Sequence, residues 1–467
     1  MTLKTIFLGT ALIASPLAAQ QAPQILLPPE MDADDAPATA PARRDTVEDS
    51  FDDIVNHVPG EVVQALPAPP APILASWSVT NAKALVKFAK GVGVEGLDPK
   101  DYDLPALEAA IAAGQGEALN EKASRTFQWL VEDLRDGRTP MDDRKQWFVV
   151  DPDPDRMPTQ KLLDEAVATG KIAATLSKLN PVNPDYAKLK SELALAKDPK
   201  RIKLIRANMD RWRWLPQDLG KFYLLTNIPE QKLRLTVNNR IIKSYRTIVG
   251  KPGRTATPQL AEQVEAVIFN PTWTVPQSIV KGEGLGAKVL NNPGWARSAG
   301  YKATKGENGW ITVVQQPGAN NSLGLMKLDM PNEHAIFLHD TPARNLFQQD
   351  NRALSHGCVR VENAREVAMT MAMLGNMTTK DDIPQIQEEV QEITGSGEYT
   401  RYPLDKQWPV YLTYFTMATD VDGKLTTFQD VYDRDAPVLA SFDRPRVQNR
   451  ARETDEEVVE IIDDMQT

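Results

Sequence analysis

The stretch Ser355-His356-Gly357-Cys358-Val359-Arg360 carries the only cysteine among the 467 residues of the chain. One cysteine cannot close an internal disulfide, so Cys358 has to act as a thiol, as a metal ligand or as a core residue. A thiol has an ordinary pKa of about 8.5 and becomes a nucleophile when an imidazole or a cation stands near it. Two histidines are close in sequence, His356 beside the cysteine and His339 in the segment 336–340 (IFLHD). The pattern predicts a nucleophilic cysteine site.

Two other interpretations of Cys358 start from the same residues. A cysteine followed by apolar Val359 and Val361 is in most proteins a small buried side chain. A zinc site built from His339, His356 and Cys358 lacks the short paired spacing of structural zinc ligands and has no evident fourth ligand. The chain has 4 histidines in all, and two of them lie near its one cysteine. This clustering favours catalysis over both alternatives, and we expect no metal and no cofactor.

The N-terminus has the composition of an export signal. Lys4 precedes a mostly apolar stretch at 5–14, and the small residues Ala18 and Ala19 offer a cleavage point. We therefore predict a signal peptide at 1–19. The apolar stretch is shorter than the roughly 20 residues that span a bilayer, although an uncleaved membrane anchor is the alternative.

The next segment, 20–72, is rich in Pro, Ala, Asp and Glu and poor in aromatic residues. Such a segment cannot bury enough apolar surface to fold, so we expect a disordered tether. The whole chain carries a net charge of −10 with an isoelectric point near 5.2. This charge argues against a nucleic-acid partner, because phosphate backbones select clustered Lys and Arg.

Helical periodicity dominates the chain from 73 to 205. Apolar residues recur at helical spacing over 81–90, 104–113, 121–134 and 159–168, with Pro and Gly between them. We predict an all-helical scaffold domain at 73–205.

The pattern changes to strand-like alternation within 206–378. Predicted strands at 222–227, 233–237 and 241–249 are joined by a tight turn at Asn238-Asn239, and later strands are predicted at 264–269, 310–315 and 335–339. We expect a mostly β catalytic domain, with a mixed sheet or a sandwich, and a helix at 364–374. The long Gly- and Asn-containing stretch 278–331 is typical of a mobile cap over a site. The complete fold class is therefore an α+β multidomain protein, in which 379–443 returns to the scaffold and 444–467 is an acidic tail.

Several motifs, in order along the chain, resemble the L,D-transpeptidase family with its YkuD-type catalytic domain. His339 followed by the run 355–358 (SHGC), with Arg360 and Asn363, resembles the family's catalytic signature. The large scaffolded Gram-negative branch of YcbB type is similar in further segments, namely 96–102 (GLDPKDY), 208–216 (NMDRWRWLP), 248–252 (IVGKP), 270–276 (NPTWTVP) and 339–342 (HDTP). The resemblance extends from about 96 to about 437. One departure is that the 183–208 interval is too short for the peptidoglycan-binding module that interrupts this region in many relatives.

The resemblance implies an acyltransferase of peptidoglycan biosynthesis. Such an enzyme forms 3→3 cross-links between diaminopimelate residues through a cysteine thioester, and acts in cell wall synthesis, remodelling and organisation and in cell shape. It implies a periplasmic protein whose donor and acceptor are peptidoglycan tetrapeptide stems, and which carbapenems inhibit. The same residues would serve if water were the acceptor, giving a carboxypeptidase or endopeptidase, or if an amine of an outer-membrane protein were the acceptor.

The resemblance also assigns roles to the site residues. Cys358 is the nucleophile, and His339 exchanges the proton, with the backbone carbonyl of Asp340 fixing its tautomer. Backbone N–H groups at Gly357 and Cys358 are expected to form the oxyanion hole. The remaining residues of the oxyanion and substrate-binding set are Ser355, His356 and Arg360.

Overall fold

The structure, a computed structural model, describes residues 73–282, 284–307 and 309–447. The predicted signal peptide at 1–19, the predicted tether at 20–72 and all but the first residues of the predicted tail lie outside these ranges. Within the described residues, no helix has the length and apolar character needed to cross a bilayer.

The N-terminal scaffold is helical, as predicted. Its helices are α1 Val79–Lys90, α2 Leu104–Ala113, α3 Glu117–Arg135, α4 Asp153–Arg156, α5 Thr159–Thr169, α6 Ile172–Ser177, α7 Pro184–Leu195 and α8 Pro199–Trp212. Polar residues start several of them, since the Ser78 hydroxyl accepts the Asn81 N–H at 3.1 Å at the start of α1 and the Asp198 carboxylate accepts two amides at the start of α8. The apolar faces of α1, α2 and α3 meet in one core that contains Leu85, Leu107 and Phe127.

The C-terminal part is a mixed sheet with helices. Its strands are β1 Phe222–Asn227, β2 Lys232–Val237, β3 Arg240–Gly250, β4 Leu260–Phe269, β5 Trp273–Thr274, β6 Tyr301–Lys305, β7 Ile311–Gln315, β8 Met326–Asp329, β9 Leu338–His339, β10 Ala353–Ser355, β11 Val359–Val361, β12 Thr400–Thr413, β13 Met417–Thr419 and β14 Leu425–Thr427. Its helices are α9 Gln277–Gly282, α10 Leu285–Asn291, α11 Pro293–Ser298, α12 Ala364–Asn376, α13 Ile383–Ser396 and α14 Asp435–Ser441.

The main sheet has the strand order β10-β3-β11-β9-β8-β4-β12-β1-β2, and β2 also pairs with β3, so the sheet closes on itself. The pairs β1–β12, β9–β11 and β3–β10 are parallel, and the remaining pairs are antiparallel. Helix α12 packs Val367 and Met371 into the same core as Leu328, Leu338 and Val359. This packing buries one face of β8, β9 and β11 and directs the alternate residues to the opposite face.

The turn between β2 and β3 confirms the predicted hairpin. Asn238 and Asn239 have φ values of 49° and 57°, the left-handed conformation that a two-residue hairpin turn requires and that Asn tolerates.

A small separate unit includes most of the range 278–331 that the sequence assigned to a cap, and it begins earlier, at β5. Helices α9, α10 and α11 pack on the three-stranded sheet β5-β7-β6 around a core of their own that contains Val280, Val289 and Val313. The last strand of the predicted range, Met326–Asp329, is instead a central strand of the main sheet.

The chain after β12 returns to the scaffold. Trp212 of α8 stacks on Phe415 with ring centroids 4.5 Å apart, and the Arg211 guanidinium lies 2.6 Å from the Asp435 carboxylate of α14. Arg446, within the predicted tail, is buried against α3 and pairs with Glu132 at 2.8 Å. The tail therefore begins as part of the folded scaffold before the chain leaves the described residues.

Strand β9 is shorter than the predicted strand 335–339. Ala335 has a φ of 50°, which interrupts extended backbone. The Asn332 side chain holds this bend, because it accepts the Ile336 N–H at 3.1 Å and donates to the Ile336 carbonyl at 2.7 Å. The prediction of strand at Ala335 was wrong because a side-chain-to-backbone turn competes with the sheet there.

Candidate active site

Cys358 lies in a tight turn between β10 and β11. Gly357 has a φ of 119°, a conformation that strongly favours glycine. The Ser355 hydroxyl closes the turn, since it accepts the Gly357 N–H at 3.2 Å and donates to the Cys358 carbonyl at 2.6 Å. The Cys358 thiol is half-buried and lies 3.7 Å from the Ala335 carbonyl. The turn thus presents the sulfur at the end of β11.

His339 lies on the neighbouring parallel strand. Val359 pairs with Leu338 and Arg360 pairs with His339, so Cys358 follows in register beside Phe337. Paired residues of adjacent strands point to the same face, and so do alternate residues of one strand. Leu338 and Val359 face the core. Cys358, Arg360 and His339 therefore share the opposite face, with the imidazole one step along the sheet from the thiol.

A backbone carbonyl fixes the imidazole. The His339 ring is 5% exposed, and its Nδ1 atom lies 2.6 Å from the Asp340 carbonyl oxygen. A carbonyl can only accept, so Nδ1 carries the hydrogen and Nε2 keeps its lone pair. The resemblance to the family implied this contact of the imidazole with the Asp340 carbonyl. The Asp340 carboxylate is turned away, buried and accepting the Leu325 N–H at 3.0 Å.

The electrostatics of the site keep both groups neutral. Burial lowers the pKa of His339 to about 3, with Arg360 and Lys327 acting in the same direction and hydrogen bonds to the backbone of Asp340 and Leu323 opposing. Burial raises the pKa of the Cys358 thiol to about 11, against the Phe337 amide, Lys327 and Arg360, which lower it. The pair at neutral pH is therefore a thiol beside an imidazole, which suits transfer of the thiol proton during attack.

A hydrogen-bond chain behind the turn supports Gly357. The buried Thr257 hydroxyl donates to the Gly357 carbonyl at 2.7 Å and accepts the Gly250 N–H at 2.8 Å. Tyr432, from the C-terminal return, donates to the Gly250 carbonyl at 2.6 Å. Because the Gly357 carbonyl and the Cys358 N–H belong to one planar peptide, this chain fixes the direction of that N–H.

Glycine is required at position 250, where the hydrogen-bond chain reaches β3. A Cβ at Gly250 would stand 1.8 Å from the Thr255 carbonyl oxygen, far inside van der Waals contact.

Thr257 and Tyr432 were not identified from the sequence. They lie about 100 and 75 positions from the motif, so no spacing signal could have found them.

The other predicted site residues differ in their exposure to solvent. His356 is exposed on the turn, and Arg360 is half-buried. Ser355 is buried and its hydroxyl is used inside the turn. The described residues hold no group of three His, Cys, Asp or Glu side chains that could bind a metal ion.

The comparisons with known proteins agree with this geometry. Residues 221–380 match the L,D-transpeptidase catalytic domain, YkuD, and residues 76–193 match the Scaffold domain. The chain therefore contains an L,D-transpeptidase catalytic domain of YkuD type and a Scaffold domain, as the resemblance in the sequence predicted. L,D-transpeptidases are acyltransferases, and the catalytic domain is of that class.

Individual relatives are more distant. A Haemophilus influenzae protein named "Putative L,D-transpeptidase" is 28% identical over 246 residues, which cover 50% of this chain and 48% of that protein. This chain thus aligns with about half the length of that relative. An L,D-transpeptidase from Mycobacterium smegmatis is 10% identical with a TM-score of 0.21, over 41% of this chain and 58% of that one. An L,D-transpeptidase solved in complex with imipenem is 10% identical with a TM-score of 0.21, over 41% and 59% of the two chains.

Proposed function

We propose that this protein is a peptidoglycan L,D-transpeptidase that forms 3→3 cross-links through a thioester on Cys358. The observation that carries the proposal is the parallel register of β9 and β11, which puts the His339 imidazole, with its Nδ1 on the Asp340 carbonyl, on the strand next to the only thiol of the chain. The match of residues 221–380 to the L,D-transpeptidase catalytic domain supports the reaction class. The donor is a tetrapeptide stem, cleaved before its terminal D-alanine.

The first half-reaction forms the acyl-enzyme. His339 Nε2 takes the thiol proton as the sulfur bonds to the carbonyl carbon of the diaminopimelate L-centre, giving a tetrahedral intermediate. When the C–N bond breaks, the imidazolium returns this proton to the leaving amine, and D-alanine departs. The charge that develops on the carbonyl oxygen requires backbone donors, each of which contributes about 10²-fold to 10³-fold in rate.

Of the two predicted oxyanion donors, the Cys358 N–H is the better placed. The Gly357 N–H already donates to the Ser355 hydroxyl at 3.2 Å. The Cys358 N–H lies in the peptide plane that Thr257 holds through the Gly357 carbonyl. We therefore assign the main oxyanion role to the Cys358 amide and assign Ser355 to the support of the turn.

The second half-reaction transfers the acyl group. The side-chain amine of a diaminopimelate residue on a second stem attacks the thioester, His339 accepts the proton of this amine, and the thiol is regenerated. We also propose that the protein acts in the periplasm in cell wall synthesis and cell shape, on the basis of the predicted signal peptide at 1–19 and of the family. A carbapenem is expected to acylate Cys358, because its strained carbonyl meets the same nucleophile.

Mass spectrometry of reaction products tests this function directly. Purified protein incubated with tetrapeptide stems is expected to release D-alanine and to form a 3→3 dimer, while Cys358→Ala forms none and keeps its melting temperature because the thiol is only half-buried. An added amine acceptor distinguishes transfer from hydrolysis, since water as the sole acceptor would give tripeptide alone. A dimer formed by Cys358→Ala would refute the role of the thiol.

A further inference from the structure

Three charged or titratable residues form a row across the sheet on the active-site face. Arg360 of β11 pairs with His339 of β9, and His339 pairs with Lys327 of β8. Directly paired residues point to the same side of a sheet. Leu328, on the alternate position of β8, faces the core, so the row lies on the face that carries Cys358. Across the sheet, β11 carries the thiol and the guanidinium, β9 carries the imidazole, and β8 carries the ammonium.

Within the part of the chain that the structure describes, the two cations of this row have no anionic partner. Lys327 Nζ lies 4.2 Å above the Phe337 ring, and Arg360 Nε is buried without a hydrogen bond. Among the described residues, no carboxylate lies within ion-pair distance of either side chain, although the same ranges contain many paired arginines. Both side chains are only half-buried. Two unpaired, partly desolvated cations at a site favour an anionic ligand.

The charge of Lys327 acts on the reacting groups. It lowers the pKa of both His339 and Cys358, so it stands close enough for its field to reach them through the half-buried site. The Phe337 ring beneath it also lies next to the imidazole, with ring centroids 5.5 Å apart. Lys327 is therefore part of the site, on the strand that follows β9 when the sheet is read from the thiol strand β11.

This order matches the order of groups in the donor stem. The attacked carbonyl has to lie over Cys358, and the leaving amine over His339, which protonates it. In the leaving D-amino acid the carboxylate carbon follows the amine nitrogen after two bonds, about 2.5 Å away; the C–O bond adds about 1.2 Å, and an ammonium binds the carboxylate oxygen at about 2.8 Å. A cation up to about 6.5 Å from the amine can therefore bind this carboxylate, and neighbouring strands are about 4.8 Å apart. The next strand beyond His339 is β8, and the residue in register is Lys327.

We propose that Lys327 binds the free carboxylate of the leaving D-amino acid and so selects donor stems that end one residue after the scissile bond. This inference rests on the proposed function and adds a specificity-determining residue to it. Lys327 contacts the part of the donor that departs, so this contact acts on donor acylation and has no counterpart in the later attack by the acceptor amine.

The test compares two donors that differ only in this carboxylate. One is a tetrapeptide stem with a free C-terminal acid, and the other is the same stem as its C-terminal carboxamide. Release of D-alanine or D-alaninamide is measured by mass spectrometry for the wild type and for Lys327→Met, Lys327→Arg and Lys424→Met. Lys424 is an exposed lysine in the turn between β13 and β14 and serves as the matched control for loss of one positive charge.

The wild type is expected to favour the free acid by about 10-fold to 100-fold in kcat/KM, the range for a charge-assisted hydrogen bond of about 1.5 to 3 kcal/mol. Lys327→Met should lose this preference because the acid slows far more than the carboxamide, while Lys327→Arg and Lys424→Met keep it. Equal wild-type rates on the two donors, or an unchanged preference in Lys327→Met, would overturn the inference. If the wild type processed neither donor, the proposed function itself would fail.

Discussion

The active site and the scaffold junction, where α8 contacts the chain that follows β12, both contain several cationic side chains. The cations at the junction have carboxylate partners, and within the described ranges those in the active site do not. At the junction, Asp210 of α8 is buried and accepts the Arg138 N–H at 2.7 Å, the Thr139 N–H at 2.9 Å and Trp214 Nε1 at 3.1 Å. Arg211 lies 2.6 Å from Asp435 in the same region. In the active site, Lys327 and Arg360 have no such partner among the described residues.

This difference in carboxylate partners distinguishes charged residues that stabilise the fold from charged residues that can bind a ligand. A buried ion whose partner is removed destabilises a protein by several kcal/mol, so the junction tolerates little change. A half-buried cation without a partner contributes little to folding and is available to a bound anion. On this basis, changes at the junction should appear in stability, and changes in the site should appear in rate.

The largest expected effect concerns the thiol itself. Because the pKa of Cys358 is raised to about 11, its thiolate fraction should increase about tenfold per pH unit from pH 7 to pH 10, and alkylation by iodoacetamide should rise about 1,000-fold over that range. Intact-mass measurement of the alkylation rate checks this. A plateau below pH 8 would show instead a preformed thiolate–imidazolium pair, in which the site cations outweigh burial.

The next effect is on stability at the junction. Burial alone would raise the pKa of Asp210, but Arg213, Arg144 and the donating amides hold it below its ordinary value, so the carboxylate is ionised. Asp210→Ala leaves those donors and arginines without their anion and is expected to cost about 3 to 5 kcal/mol of unfolding free energy in urea titrations.

A matched change at the surface gives the control for this prediction. Asp422→Ala, at an exposed position in the turn between β13 and β14, should change the unfolding free energy by less than about 0.5 kcal/mol. Equal effects of the two substitutions would mean that the junction charges do not hold the fold.

The smallest expected effect tests whether the hydrogen bonds of Thr257 position the Cys358 peptide. Thr257→Val removes the hydroxyl between the Gly250 amide and the Gly357 carbonyl, which frees the Cys358 peptide to tilt. We expect kcat to fall about tenfold with KM nearly unchanged, since the donor's binding groups remain. Thr257→Ser should restore kcat. A fall confined to melting temperature, with normal kcat, would leave Thr257 a purely structural residue.

Local sequence signals predicted much of this molecule. The turn at Asn238-Asn239 follows from the tolerance of Asn for positive φ, and the helices of the scaffold follow from apolar periodicity. Cys358 and His339 were identified because one thiol near two histidines is a rare combination in a chain this poor in both. Their catalytic roles stay predictions until they are tested.

The rest depends on which strands become neighbours. Lys327 meets His339 through the β8–β9 register, and Thr257 reaches Gly357 across 100 positions of chain. The spacing of residues along the sequence predicts neither contact, because the order of strands in a closed mixed sheet depends on the packing of the whole domain. The same limit explains why Met326–Asp329 was assigned to a cap: its Gly- and Asn-rich surroundings concealed a central strand.

The central claim is that the Cys358 sulfur becomes acylated by a peptidoglycan stem. Rapid quenching of the protein with tetrapeptide donor in acid, followed by intact-mass and peptide-level mass spectrometry, should show an adduct of the stem minus D-alanine on the peptide that contains Cys358. The adduct should disappear when an acceptor amine is added before the quench. An adduct on another residue, or D-alanine release during many turnovers with Cys358 unmodified at every time point, would contradict the account.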